Sequence, residues 1–116
     1  NQRLIKVTGV NDFVVGTSIT NLIMTQISEN RHLSELFRIL LTSEGSELYM
    51  KDVRNYLRTD KEISFYEVTE AVKKHNEIFI GYRRKENGEL LIVTNPDKEK
   101  TVMFRPDDSL IVLAED

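Results

Sequence analysis

The side chains in this chain that are able to do chemistry are four short acidic pairs, two separated histidines and a scatter of serines and threonines. The acidic pairs are Glu44 with Glu47, Asp60 with Glu62, Asp107 with Asp108, and Glu115 with Asp116. A calcium site takes about six to eight hard oxygens, and its familiar loop alternates acidic positions around a glycine and closes on a glutamate. No such loop occurs, so each pair reads first as solvated surface and becomes a ligand set only if folding brings pairs together. His32 and His75 are not one turn apart on one helix, so a transition-metal site would need ligands from elsewhere, and both read as helix-surface residues. No Gly-x-Ser-x-Gly elbow is present, and acyl transfer also needs a placed base and oxyanion donors. No catalytic residue is assigned, and the chain reads as a non-enzyme.

These residues must be positioned by a single compact domain. A chain of 116 residues buries about two-thirds of the surface its unfolded form exposes. Hydrophobic residues make up 40% and charged residues 30%, which is ordinary globular usage and argues against a disordered or fibrous chain. The net charge of -3 argues against a broad phosphate-binding face. Without cysteine there is no disulfide framework, thiol nucleophile or zinc-thiolate site, which fits a reducing compartment. No apolar run approaches the ~18 residues of a membrane span, and no secretion signal opens the chain. It begins at Asn1, with Leu4, Ile5 and Val7 resembling the end of a strand, so a fragment of a longer protein is expected.

A β-branched run over 12–17 precedes a helix capped by Ser18, with apolar positions Ile19, Leu22, Ile23 and Ile27 on one stripe. After Asn30, the residues Leu33, Leu36, Phe37, Leu40 and Leu41 follow the spacing of an amphipathic helix, and Gly45 supplies its stop. Met24 and Ile39 lie off these stripes and read either as scattered surface residues or as part of a partner surface. A half-buried strand is expected over 47–53, followed by a polar stretch anchored by Tyr56 and Leu57. Ser64 and Glu67 form a capping box for a third helix, with Ile63 and Val68 placed as a hydrophobic staple. Lys73, Lys74 and His75 oppose the negative end of that helix's dipole, and Asn76 can close it in the left-handed conformation. Strands over 78–83 and 90–94 flank Asn87-Gly88, the strongest short hairpin signal, and Asn95-Pro96 ends the second. A closing strand over 110–113 follows Arg105-Pro106-Asp107-Asp108.

The seam between the two parts is placed at Glu44-Gly45-Ser46. Residues 1–45 are then a strand and a helical pair, and residues 46–116 a mixed β-sheet lobe with one packed helix, an α/β (α+β) arrangement. The later part resembles the carboxy-terminal regulatory module of potassium-uptake and potassium-conductance regulators, the TrkA-C or RCK-C module. The resemblance rests on the order of strand, helix, strand, Asn87-Gly88 turn, strand, and a Pro106-Asp107-Asp108 turn leading into an apolar strand. It departs from the family at Asp107, where glycine is common; aspartate tolerates left-handed φ, so the turn can survive. The earlier part, through Asn11-Asp12-Phe13-Val14-Val15, the helix over 18–29 and Gly45-Ser46-Glu47-Leu48-Tyr49, resembles the cytosolic region of Castor/Pollux-type ion channels and their bacterial relatives.

The resemblance implies a gating-ring segment on the cytoplasmic face of a cation channel, assembled from identical subunits. Residues 1 to about 17 would be the tail of a preceding RCK-N-like, nucleotide-binding lobe whose glycine-rich loop is absent, and the helical pair would be the crossover between lobes. The implied partners are sister subunits, the membrane pore domain of the same full-length protein, and a small effector or ion. Calcium regulation is implied as a role, without a ligand set that maps onto these positions. The subunit contact is assigned to Ile19, Ile23, Ile27, Leu33, Phe37 and Leu40, some of which are expected in the chain's own core. The competing plan is a winged helix, from three helices and a hairpin bearing Arg83, Arg84 and Lys85. Two features count against it: the third helix carries its basic residues at the wrong end for groove recognition, and some twenty residues separate helices two and three. No nucleic-acid partner is therefore expected.

Overall fold

The computed structural model of the chain describes Phe13, Val14, residues 16–42 and residues 46–115. In chain order its elements are β1 (Phe13–Val14), α1 (Thr17–Ile27), α2 (Arg31–Thr42), β2 (Ser46–Asp52), a 3-10 turn (Val53–Asn55) and β3 (Ile63–Ser64). There follow α3 (Phe65–Lys73), β4 (Ile78–Glu86), β5 (Glu89–Thr94), β6 (Thr101–Val102) and β7 (Ser109–Glu115). The main sheet has the order β1-β2-β7-β4-β5, and β3 and β6 form a separate small sheet. Among the described residues every strand pairing is antiparallel, so the lobe is α+β and its sheet is not mixed in direction.

The local signals explain most boundaries. The Ser64 side chain accepts from the Glu67 backbone while the Glu67 carboxylate accepts from the Ser64 backbone, closing the capping box that starts α3. Ile63 and Val68 are both buried in one cluster, as a staple requires. Asn76 has φ 62° where the chain leaves α3, and Asn95 has φ 49° where it leaves β5. Asn87 and Gly88, at 51° and 81°, form the tight turn of the β4–β5 hairpin, with positive φ at both central residues. One expected cap is corrected: α1 begins earlier, because the Gly16 carbonyl accepts from the Thr20 N–H at 3.0 Å and places Ser18 inside the first turn. Asn30 caps α2 through its side chain, which accepts from the Leu33 N–H at 3.0 Å. The 1–12 stretch with Leu4, Ile5 and Val7, and the stop at Gly45, lie outside the described residues.

The main sheet is covered on both faces. On one, α1 and α2 lay Ile19, Ile23, Ile27 and Phe37 against Leu48, Met50, Ile92, Ile111 and Leu113. On the other, Phe65, Val68 and Val72 of α3 meet Val53, Val102, Phe104, Leu110 and Val112. Successive β7 side chains therefore serve opposite cores, which is why nearly the whole strand is buried and why its sequence is apolar without alternation. Side chains such as Ile23 and Met50, at 0% exposure, each contribute about 1.5–3 kcal/mol by leaving water. The helical pair before residue 43 thus packs on a sheet built mainly from residues after 45.

A bulge in β4 sets what each face carries. Phe79 pairs with Val112 and Gly81 with Ile111, so Ile80 is extra and the phase of the strand shifts by one. Phe79 and Tyr82 consequently lie on the same face, where Tyr82 is within 5.8 Å of the Phe65 ring and 5.4 Å of the Phe104 ring, centroid to centroid. Glycine is required at the bulge because a Cβ on Gly81 would lie 2.1 Å from the Val93 carbonyl oxygen. The small β3–β6 sheet was not anticipated; two-residue strands are too short to show periodicity.

Candidate functional site

The proposed subunit-contact residues fall mostly inside the chain's own core. Ile19, Ile23, Ile27 and Phe37 are 6%, 0%, 4% and 2% exposed, and Leu33 is half-buried against the same cluster. The face of α1 and α2 that carries these four is the face the sheet covers, so within one chain they serve its own core, as was expected of some of the six. The Leu40 side chain lies outside the described ones. Met24 packs against that core, whereas Leu22, Leu36 and Ile39 are exposed.

Among the described residues the acidic pairs do not gather. Asp60 is bound by Arg58 at 2.9 Å, Glu62 accepts from the Thr101 hydroxyl at 2.8 Å, and Asp108 is held by Arg84. Glu44 and Asp116 lie outside the described residues. Among the described residues no three acidic or histidine side chains converge on a point. His32 is exposed, and His75 meets the Tyr56 ring edge-on at 4.6 Å.

Asp108 is instead the centre of a clasp. Its side chain is 1% exposed, and Oδ2 accepts from Arg84 Nη2 and from the Arg105 backbone N–H, each at 2.8 Å. Arg84 Nη2 also donates to the Met103 carbonyl at 3.0 Å, and Asp108 hydrogen-bonding holds the guanidinium pKa above its ordinary value. Two positions on from Tyr82, Arg84 shares its face of the strand, its guanidinium carbon 5.7 Å from that ring, and the β4 bulge puts both on the side of Phe79. Asp107 is not among the residues with positive φ, so the turn never calls on the glycine that the related pattern carries there. Neighbouring Arg83 donates to the Asp107 carbonyl and to Ser109 Oγ, and burial pushes its pKa down. Of the hairpin's basic residues Arg83 and Arg84 are engaged inside the molecule while Lys85 is exposed, and β2 lies between α2 and α3, where a winged helix would have a short turn.

A cavity of about 360 Å3 lies where α2, α3 and the start of β4 meet. Leu33, Leu36 and Phe37 come from α2, Thr69 and Lys73 from α3, and Ile78, Phe79 and Ile80 from β4, with Glu77, Asn95 and Lys98 completing the lining. Its size and mostly apolar wall suit a small ligand. Glu77 is committed elsewhere: Lys51 binds it at 2.6 Å and the Tyr56 hydroxyl donates to its other oxygen. This cavity escaped reading from the residues because three distant segments build it; Lys73 was accounted for by the helix dipole and Lys98 carried no signal.

No protein-family model matches the chain. Three curated relatives align over nearly all of it. They are the ion channel CASTOR of Lotus japonicus (26% identical over 98% of the chain), the probable ion channel CASTOR of Oryza sativa subsp. japonica (27% over 98%) and the probable ion channel POLLUX of Arabidopsis thaliana (24% over 97%). The chain spans 13%, 13% and 14% of their lengths, respectively. Among the described residues no helix is long and apolar enough to cross a membrane. Over nearly its whole length, then, the chain is similar to one region of Castor/Pollux-type ion channels, as its residues had suggested.

Proposed function

We propose that the chain is a ligand-sensing regulatory segment of a cation channel or potassium transport system, an RCK-C-like lobe with its crossover helices in a cytoplasmic gating ring. The observation that carries this reading is the near-complete alignment to one region of several ion channels. Two structural features support it. The helical pair still offers Leu22, Leu36 and Ile39 outwards after filling the chain's own core, which suits contact with a sister subunit. A cavity lies between α2 and the lobe, so a ligand there would touch both the proposed crossover and the proposed sensor. A ligand shifts a ring only through unequal affinity for its two arrangements, and a seam that closes or opens offers that inequality.

Bilayer recordings of the full-length channel containing this region test the reading. Asp108→Asn should change open probability while leaving single-channel conductance unchanged, because a regulatory segment biases gating and does not line the pore. A changed conductance with normal gating would refute the proposal. Light scattering on the chain itself should show a dimer or larger assembly at high concentration, weakened by Leu36→Glu; a strict monomer removes the assembly part.

A further inference from the structure

We propose that the cavity between α2, α3 and β4 binds a small amphiphilic monocarboxylate, its apolar body against Leu33, Phe37 and Phe79 and its carboxylate between Lys73 and Lys98. The inference starts from charge. Among the described residues neither lysine has an ion-pair partner, whereas the one acid in the lining, Glu77, is already neutralised by Lys51. The cavity therefore presents two uncompensated positive charges beside an apolar wall, which is complementary to an anion carrying a hydrocarbon or aromatic body.

The head group follows from what surrounds those charges. Lys73 occupies the last turn of α3, at the negative end of the helix dipole, which offsets part of the attraction and disfavours a doubly charged anion. No arginine lines the cavity, so the planar fork that holds phosphate in two-point fashion is missing. The Thr69 hydroxyl is already donating to the Phe65 carbonyl at 2.9 Å, and the N–H of Leu33, in the first turn of α2, is already donating to Asn30 Oδ1 at 3.0 Å. Two ammonium groups and an apolar recess fit one carboxylate better than a phosphate. Leu36 and Ile78, 52% and 46% exposed, form a greasy margin by which such a molecule can enter.

The binding chemistry stands on the cavity alone; its link to gating rests on the proposed function, so the test reads binding and not channel activity. Amide shifts of the chain would be followed by NMR during titration with octanoate, 1-octanol and inorganic phosphate. Octanoate should bind saturably with shifts centred on Thr69, Ile80 and Lys98, 1-octanol several-fold more weakly, and phosphate without saturation. Lys73→Ala and Lys98→Ala should each weaken octanoate about two- to fivefold, the range of a partly exposed ion pair, and the double variant about tenfold. Both lysines are at the surface, and the double Arg variant should restore binding, which separates loss of charge from loss of fold. Equal affinity for octanol and octanoate, or an unaltered double variant, would overturn the proposal. Two further results would also overturn it: binding only to vesicles containing phosphatidylglycerol, or a dimer that covers the cavity and excludes octanoate.

Discussion

Asp108 shows how far a residue's meaning depends on its surroundings. As one of two adjacent aspartates it reads as solvated surface, yet it is buried and holds both a guanidinium and a backbone N–H. Asp108→Ala would leave Arg84 uncompensated in a largely buried site, so urea unfolding should show a loss of about 3–5 kcal/mol, partly recovered by adding Arg84→Met. An unchanged midpoint would mean that the pair is solvent-screened after all. Asp52 gives the pH counterpart. It is nearly buried at the entrance to the 3-10 turn, and hydrogen bonds from the Arg54 side chain, ahead of burial acting the other way, hold its carboxyl below the ordinary value. A depressed folded-state pKa adds stability that is complete above the unfolded value, about 3.9, and disappears as pH falls through the folded one. Because Arg54 is exposed, the effect is modest, about 1 kcal/mol or less. Melting temperatures should therefore place Asp52→Asn below the native chain at pH 7, with the two curves converging as the pH falls through the lowered folded-state value; a gap independent of pH would mean the charge is irrelevant. The partner of Asp52 is local, two positions on, whereas that of Asp108 could not be read beforehand: Arg84 is 24 positions away, and the bulge in its strand leaves no mark on hydrophobic alternation.

Elements whose cause is local were readable from the residues, and those whose cause is a distant neighbour were not. The capping box at Ser64, the Asn87-Gly88 turn and the apolar spacing of α2 each need only a few consecutive side chains, and all are present where expected. The β4 bulge, the β3–β6 pair and the cavity depend on segments that meet only after folding, and so escaped. Ile23 and Phe37 were read correctly as an apolar stripe, and within one chain that stripe is covered by the sheet, because periodicity says that a face is buried without saying by what. Gly81 is the sharpest case, since an isolated glycine in a strand suggests close approach but cannot say to which chain. Gly81→Ala would drive a methyl group into the Val93 carbonyl, so the hairpin must shift and Tyr82 and Arg84 lose their placement. The expected cost is about 1–3 kcal/mol or more, together with broadened NMR signals at Arg84 and Asp108. Ser64→Ala, by contrast, should cost about 1 kcal/mol and leave those signals in place. If Gly81→Ala proved as mild as Ser64→Ala, the bulge would be adaptable and would not be what aims the clasp.

The two cores share one strand, and that governs how the molecule should come apart. Ile111 and Leu113 face α1 and α2, while Leu110 and Val112 face α3, so neither layer can detach without exposing half of β7 to water. The proposed crossover pair would then be part of the lobe's own folding unit and not an arm that swings freely. Ile23→Ala in the first core should cost about 2–5 kcal/mol and Phe104→Ala in the second about 3–5 kcal/mol. Each should shift the whole unfolding transition. The measurement has two independent readouts, because α1 and α2 contribute much of the far-ultraviolet helix signal, whereas Tyr82 packs in the second core and reports through the near-ultraviolet band. In urea both signals should move together in the native chain and in both variants, with one midpoint per protein. If Ile23→Ala made helix loss precede the tyrosine change, the layers would be separable and α1 and α2 could leave the sheet. The buried stripe of Ile19, Ile23, Ile27 and Phe37 would then become available to a neighbouring subunit after all, through exchange of the helical pair between copies. Coincident transitions instead confine any subunit contact to the outward residues Leu22, Leu36 and Ile39, and require gating motions to carry the helices and the sheet together.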